Sequence, residues 1–277
     1  MLTCIEHNDL DDFKRRHTQR WLANEAQDSA LLRLRQRPDG NPQVGLTIID
    51  AQTDTVLHTA CMSVGRQLTL SSGAPHVLAF LASHIVQRHW HLPGLFAPRP
   101  ASEDFVDAYA RLTGLRLTRV KALAHMELTA LTPPGRVCGG GMRLARASEI
   151  GLLASFRDRA QQEGNTQLPF DSEASVRADL SAGASFVWED GGGQVVCAAS
   201  LDMERSARSA YINHVYTPAA LRRQGYATAL VRGLAARALE QGKVVSLSVD
   251  ADSHGAISVY LATGFKVCCT MDNMRLL

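Results

Sequence analysis

The chain has 277 residues, which is enough for one large or two modest domains. Hydrophobic residues make up 45% of it and charged residues 20%, an ordinary balance for a folded globular protein. The formal net charge of +2 is too small to imply a nucleic-acid or membrane-surface partner.

Nothing in the sequence indicates secretion or membrane insertion. No stretch reaches the roughly 18 consecutive apolar residues that a membrane span requires. The chain starts with polar and acidic residues rather than with a secretory signal. Its six cysteines are scattered and show no Cys-x-x-Cys spacing, so we expect reduced thiols, no metal site and a cytoplasmic location.

The first half of the chain predicts helices and strands in the order ααββα(β)αβ. Apolar residues from Leu10 to Leu22 recur at helical spacing and predict the first helix. Further helices are predicted at 30–37, 75–90 and 102–113, and strands at 44–50, 56–63, 94–98 and 115–128. This mixture predicts an α/β or α+β fold.

A segment rich in proline and glycine separates the two halves. Two prolines and four glycines lie between Thr132 and Gly141, and this composition is typical of a linker. We therefore expect one domain at 1–133, a linker at 134–141 and a second domain at 142–277.

The sequence of the second domain predicts helices and strands in the order βααβββαβαβ. Its strands are expected at 142–145, 185–189, 194–202, 209–217, 244–249 and 265–275, and its helices at 149–162, 172–181, 223–241 and 254–262.

A basic loop with one glycine separates a predicted strand from the longest predicted helix. The strand ends at Thr217 and Pro218, and residues 222–227 read Arg-Arg-Gln-Gly-Tyr-Ala. Free N–H groups at a helix start and the helix dipole form an anion site, and glycine lets the main chain approach a phosphate. The pattern predicts a di- or polyphosphate ligand. The alternative is an ordinary amphipathic helix that begins with solvated basic residues, which would show the same sequence pattern.

Arg222-x-x-Gly225-x-Ala227 resembles the Q/R-x-x-G-x-G/A pyrophosphate loop of GNAT acyltransferases. The run from Val215 to Leu230 resembles a bacterial subgroup of predicted acetyltransferases whose C-terminal domain is similar to that of glycine N-acyltransferases. The resemblance covers 142–277 well and the first half only in outline. It implies a GNAT fold with a mixed, splayed central sheet, preceded by a diverged GNAT-like half without its own cofactor.

A second motif supports this resemblance. Ala256-x-x-x-Tyr260-x-x-x-Gly264-Phe265 is similar to the A-x-x-x-Y-x-x-x-G-F segment of the family. Ala256 and Tyr260 share one helix face, and Gly264 ends the helix. The resemblance implies that Tyr260 reaches the thioester sulfur and protonates the leaving thiolate. The alternative is a packing tyrosine on a short helix.

The resemblance implies acetyl-CoA as co-substrate. The backbone of the strand before the loop would pair with the pantetheine arm and polarise the thioester carbonyl, and the N–H groups of the loop would bind the phosphates. Ser253 stands where the family often has an asparagine that contacts the cofactor. The residues implied to contact acetyl-CoA are Val215, Tyr216, Thr217, Arg222, Arg223, Gln224, Gly225, Tyr226, Ala227, Thr228 and Ser253.

The general base is not determined by the sequence. Many family members carry a glutamate near the position of Tyr211, which is no base at neutral pH. His214 is the only conventional base on this strand, with a hydrogen-bonded strand histidine as the alternative. Asp202 and Glu204 could act through water or be solvated loop carboxylates.

The sequence favours an enzyme that acetylates a primary amine of a small molecule or an amino acid. The alternative is an acyl-CoA-binding sensor or scaffold without efficient turnover. A peptide or protein acceptor would need an open groove. No nucleic-acid or membrane partner is expected, and a homodimer is left open. The first half would wall the acceptor pocket or form a dimer surface.

Overall fold

The computed structural model describes the chain except for residues 33, 35–42, 64–66, 134, 136–137, 165–170 and 277. It divides into two units. The first unit comprises Met1–Ala124 together with Cys268–Leu277, and the second comprises His125–Val267. The predicted boundary at 134–141 does not coincide with this division, because the described residues of this segment lie inside the second unit. Residues 134, 136 and 137 of the predicted linker lie outside the described part of the chain.

The first unit combines a mixed sheet with four helices among the described residues. The elements are β1 (Leu2–His7), α1 (Leu10–Ala23), α2 (Glu25–Leu32), β2 (Gln43–Asp50), β3 (Thr55–Ser63), β4 (Gln67–Leu70), α3 (Pro75–Gln87), β5 (Gly94–Pro98) and α4 (Ala101–Thr113). β6 (Leu117–Leu128) and β12 (Lys266–Leu276) each contribute residues to both units. The sheet of the first unit has the order β1-β2-β3-β4-β5-β12 and is antiparallel except for the parallel pair β4–β5.

Local sequence explains most of these boundaries. The carboxylate of Asp9 accepts hydrogen bonds from the N–H groups of Asp11 (2.9 Å) and Asp12 (3.0 Å) and so caps the start of α1. Gly114 ends α4 in the left-handed conformation that favours glycine, with φ of 74°. The sequence did not predict β1 or β4. Half of the predicted helix at 30–37 falls on residues that are not described, and α2 ends at Leu32.

The last strand belongs largely to the first unit because it pairs with β5 and because one buried carboxylate fixes it there. Asp272 is fully buried and receives hydrogen bonds from Arg99 (2.5 Å) and from the Ser102 hydroxyl (2.7 Å). Arg119 lies 2.9 Å from the same carboxylate. Burial alone would raise the pKa of Asp272, but these hydrogen bonds and charges lower it below its ordinary value. The sequence assigned this strand to the second domain.

The helices of the second unit are α5 (Ile150–Glu163), α6 (Ser172–Ser181), α7 (Tyr226–Leu239) and α8 (His254–Thr263), and its strands are β7 (Gly141–Leu144), β8 (Ser185–Glu189), β9 (Val195–Asp202), β10 (Ser209–Tyr216) and β11 (Val244–Asp250). From β7 to β12, the helices and strands follow one another in the order predicted from the sequence. The sheet has the order β11-β10-β9-β8-β7 and is antiparallel except for β10–β11. The predicted mixed α/β class is confirmed.

The apolar stripe of α7 is buried as its spacing predicts. The buried residues of this helix are Leu230, Val231, Leu234, Ala235 and Ala238. Each large side chain removed from water in this way stabilises the fold by about 1.5–3 kcal/mol. The burial fixes the helix axis, and with it the position of its first turn. No helix in the described ranges combines the length and the apolar character needed to cross a membrane.

Candidate active site

The loop between β10 and α7 ends in an uncapped helix start. Arg223 and Gly225 both have left-handed backbone, with φ of 67° and 92°. The helix therefore begins at Tyr226, three residues later than the sequence predicted. Gly225 has no side chain to cap the helix. Within the described chain, no acceptor is found for the N–H groups of residues 224–228, so these amides are available to an anion.

The two loop arginines differ in their surroundings. The Arg222 guanidinium donates to the Thr217 carbonyl (2.9 Å) and to the Glu163 carboxylate at the end of α5 (2.5 Å). Glu163 also accepts a hydrogen bond from the Tyr216 hydroxyl (2.9 Å). Burial opposes ionisation of Glu163, but the bonds from Arg222 and Tyr216 lower its pKa. Arg222 thus ties the loop to α5 and to the end of β10. Both arginines are exposed.

The sheet opens beside this loop. β10 pairs with β11 only at its first three residues, from Ser209 to Tyr211, although β11 continues to Asp250. Beyond Tyr211 the backbone of β10 is not paired with β11. An extended chain could therefore hydrogen-bond to this edge as an added strand would. The predicted splay of the strand before the loop is present at this place.

A β-bulge lies in the unpaired part of β10. Asn213 pairs with Ser200 and Tyr216 with Ala198, so β10 holds one residue more than β9 between these pairs. His214 lies in the bulge with a left-handed φ of 53°. Burial, followed by the charge of Arg157, lowers the pKa of His214 to about 4. The imidazole is therefore neutral at neutral pH but is a weak base.

Tyr260 is buried where α8 approaches the sheet. Its ring packs edge-to-face against Phe265 at 5.9 Å between centroids. Burial raises its pKa, and the nearby Cys197 and Tyr211 raise it further. Cys197 lies on β9 and Tyr211 on β10, so the Tyr260 side chain lies near these two strands. Burial likewise raises the pKa of the Cys197 thiol to about 11, while the Thr217 hydroxyl beside it has a lowering effect.

The remaining candidate residues from the sequence differ in their surroundings. Ser253 precedes α8, and its carbonyl accepts from Ile257 N–H (3.0 Å). Tyr211 is buried, and the Arg205 guanidinium lies over its ring at 4.5 Å. Asp202 and Glu204 are exposed in a turn in which the Asp202 carboxylate accepts from the Glu204 N–H (3.1 Å).

Sequence reasoning missed three residues near the opening. Glu163 follows the apolar part of α5 and carries no motif. Arg157 is 6% exposed and makes an ion pair with Asp179 of α6 at 2.5 Å. One signal was available, because Arg157 follows Leu153 and Phe156 at helical spacing and so lies on the buried face of α5. A charge on such a face is buried only with a partner.

The family comparison agrees with the motifs. A model of the acetyltransferase (GNAT) family matches residues 152–265, which lie within the second unit and include both the loop and the Tyr260 segment. A search of curated proteins finds no match to the chain.

Solved structures with the same fold cover nearly the whole chain. A GNAT-family acetyltransferase from Colwellia psychrerythraea has a TM-score of 0.62 at 11% identity and covers 100% of both chains. A GCN5-related N-acetyltransferase from Sphaerobacter thermophilus has a TM-score of 0.59 at 16% identity, covering 98% of this chain and 95% of that one. A tandem GNAT protein from the clavulanic acid biosynthesis pathway has a TM-score of 0.56 at 14% identity, covering 99% and 98%.

At these identities the structural matches establish the fold alone, and the family follows from the sequence model. Its match spans the splayed strand, the uncapped start of α7 and the helix that carries Tyr260. The predicted resemblance to GNAT acyltransferases is thereby confirmed for this part of the chain. The chain contains an acetyltransferase domain of the GNAT family.

Proposed function

We propose that this protein is an acetyl-CoA-dependent N-acyltransferase that transfers an acetyl group to a primary amine of a small molecule or an amino acid. The proposal rests on two neighbouring features. The start of α7 has no side-chain cap and follows the left-handed Gly225, and β10 beside it is not paired with β11 beyond Tyr211. The first is suited to a diphosphate and the second to an extended amide-containing arm. Coenzyme A thioesters combine these two features in one molecule.

The loop would hold the diphosphate through main-chain amides. The N–H groups from Gln224 to Thr228 lack acceptors among the described residues, and Gly225 leaves the approach free of a side chain. The Thr228 hydroxyl is within the first turn and would add a donor. Arg222 would contribute mainly by holding the loop through Glu163, and the exposed Arg223 by its charge.

The edge of β10 from Val215 to Thr217 would pair with the pantetheine arm and polarise the thioester carbonyl. Tyr260 would donate its phenolic proton to the thiolate that leaves when the amine attacks. The phenol is protonated at neutral pH, as a donor must be, and burial raises its pKa and so makes it a weaker acid than a solvated tyrosine. Ser253, at the start of the same helix, would contact the cofactor.

The first unit is proposed to bind no acyl-CoA of its own. Its parallel pair is β4–β5, and the helix after β4 is α3. That helix starts with Pro75, which has no N–H to offer. At Gly73, in the preceding loop, a Cβ atom would lie 2.7 Å from the Nδ1 atom of His58, so this loop is packed against β3. These features support one acyl-CoA site per chain.

Thiol release tests the proposed activity. The purified chain is incubated with acetyl-CoA and a panel of primary amines that includes free amino acids, and coenzyme A thiol is measured against an amine-free control. We expect amine-dependent release with at least one amine class. Tight acetyl-CoA binding without release for any amine would favour the sensor or scaffold instead. The acceptor, a homodimer and the cytoplasmic location remain predictions.

A further inference from the structure

The bulge on β10 places a residue other than glycine in a strained conformation. His214 has φ of 53°, in the region that disfavours side chains with a Cβ. Such a conformation persists only where surrounding contacts determine it, and it is commonly found at functional sites. The bulge lies at the place where β10 has left β11, so the contacts that hold His214 also shape the opening.

Contacts from the neighbouring residue hold the bulge on one side. The Asn213 side-chain carbonyl accepts a hydrogen bond from the His214 N–H at 2.9 Å. The Asn213 amide nitrogen lies 3.2 Å from the Nε2 atom of His214. Asn213 therefore binds both the backbone and the ring of His214. His214 lines a small cavity together with Phe156, Arg157 and Ser200.

A buried polar cluster holds the opposite strand at the same level. The Arg157 guanidinium donates to the Asp179 carboxylate (2.5 Å) and to the Ser200 hydroxyl (3.0 Å), and it also contacts Ser175. The Ser200 hydroxyl in turn donates to Asp179. Ser200 is the residue of β9 that pairs with Asn213, immediately before the bulge. The cluster thus links α5 and α6 to β9 at the point where β10 gains its extra residue.

We infer that His214 is a positioning residue: with Asn213 and the Arg157–Asp179–Ser200 cluster, it holds the left-handed bulge that keeps the β10 edge open for the acyl arm of the co-substrate. This inference rests on the proposed function. His214 is a poor general base, because burial of its half-buried side chain and the nearby charge of Arg157 lower its pKa. The backbone conformation at position 214, rather than imidazole chemistry, is then what the reaction requires.

Substitutions at position 214 separate the two roles. His214→Ala removes the ring contacts but keeps the Cβ that disfavours positive φ, so we expect about tenfold weaker acetyl-CoA binding. His214→Gly removes the ring and the strain together, and His214→Asn places a residue that tolerates this conformation, so both should retain most of the affinity. The nucleotide half of coenzyme A, which lacks the pantetheine arm, should bind all variants with similar affinity.

Binding is measured by calorimetry, and thermal unfolding confirms that each variant is folded. Asp179→Asn should weaken acetyl-CoA binding as His214→Ala does. Glu173→Gln breaks an exposed ion pair with Arg177 on the same helix and serves as the matched control, which should bind normally.

Equal loss of affinity in the Gly and Ala variants of position 214 would overturn the inference. So would unchanged affinity in both, with thiol release lost and an acidic limb missing from the pH profile, which is the signature of a base. Failure of the unmodified chain to bind acetyl-CoA would instead contradict the proposed function.

Discussion

At the scale of single residues, the environment decides what each candidate can do. Tyr260 and His214 were both predicted to act in the chemistry, and burial shifts the pKa of each away from neutrality, in opposite directions. The phenol stays protonated and becomes a weaker acid, whereas the imidazole stays neutral and becomes a weaker base. Neither shift is visible in the sequence, because both depend on residues of other elements that pack around the side chain.

Tyr260→Phe tests the donor role. The substitution removes the phenolic oxygen and leaves the ring that packs against Phe265, so the fold should be retained. We expect the maximal rate of thiol release to fall about a hundredfold, which is the ordinary contribution of a positioned acid. The affinity for acetyl-CoA should change little. A variant with a normal rate would assign Tyr260 to packing alone.

At the scale of elements, the sequence predicted the helices and strands of the second unit in their order, because each has a local signal. Hydrophobic periodicity marks α7, and its stripe from Leu230 to Ala238 is buried as expected. The bulge at His214 was not predictable, since it depends on the pairing register of β10 with β9. α7 begins at Tyr226, three residues later than predicted, because Arg223 and Gly225 have left-handed backbone.

Gly225→Ala tests the loop at its most constrained position. A Cβ atom there would lie 3.8 Å from the Cβ of Cys138, an ordinary contact, so the cost comes from the φ of 92° rather than from a clash. We expect roughly tenfold weaker binding of acetyl-CoA and of the nucleotide half alike.

Gly151→Ala provides the comparison for Gly225→Ala. Gly151 lies in the first turn of α5, and a Cβ atom there would meet open space. This variant should bind normally and be slightly more stable, because alanine favours helices. If both variants bind like the unmodified chain, the conformation of Gly225 has no part in binding.

At the scale of the whole molecule, the division into units was the least predictable feature. The glycine-rich segment before Gly141 has the composition of a linker, yet the second unit begins at His125 and the chain end returns to the first unit. The chain end is held in the first unit by Asp272. Its partners Arg99, Ser102 and Arg119 are more than 150 positions earlier in the sequence. Pairings at such separations leave no local pattern. The first unit also contains the buried side chains of His17, Asp28 and His58.

Buried histidines predict that acid destabilises the first unit. Burial is the main cause that lowers the pKa of His17 and of His58 to about 4. In the unfolded chain each titrates near 6.5. The free energy of unfolding is therefore undiminished by these histidines above about pH 6.5. It falls as the pH drops toward 4, by up to roughly 3 kcal/mol per histidine. Asp28 has the opposite effect, because burial raises its pKa to about 6 and favours the folded state in acid.

Urea unfolding across this pH range measures the effect. His58→Asn should flatten the loss of unfolding free energy, since it removes a group that is fully buried and whose Nε2 atom lacks a hydrogen-bond partner among the described residues. His76→Asn changes an exposed histidine and should leave the pH dependence as it was. Equal slopes for all three chains would show that His58 does not control the acid response.

The central claim is that main-chain amides at the start of α7 bind the diphosphate of a coenzyme A thioester. Residue-resolved hydrogen exchange, with and without saturating acetyl-CoA, tests it most directly. We expect exchange at the amides of residues 224–228 to slow markedly on binding, because N–H groups without acceptors would gain them. Absence of binding, or protection elsewhere with these amides unchanged, would contradict the claim.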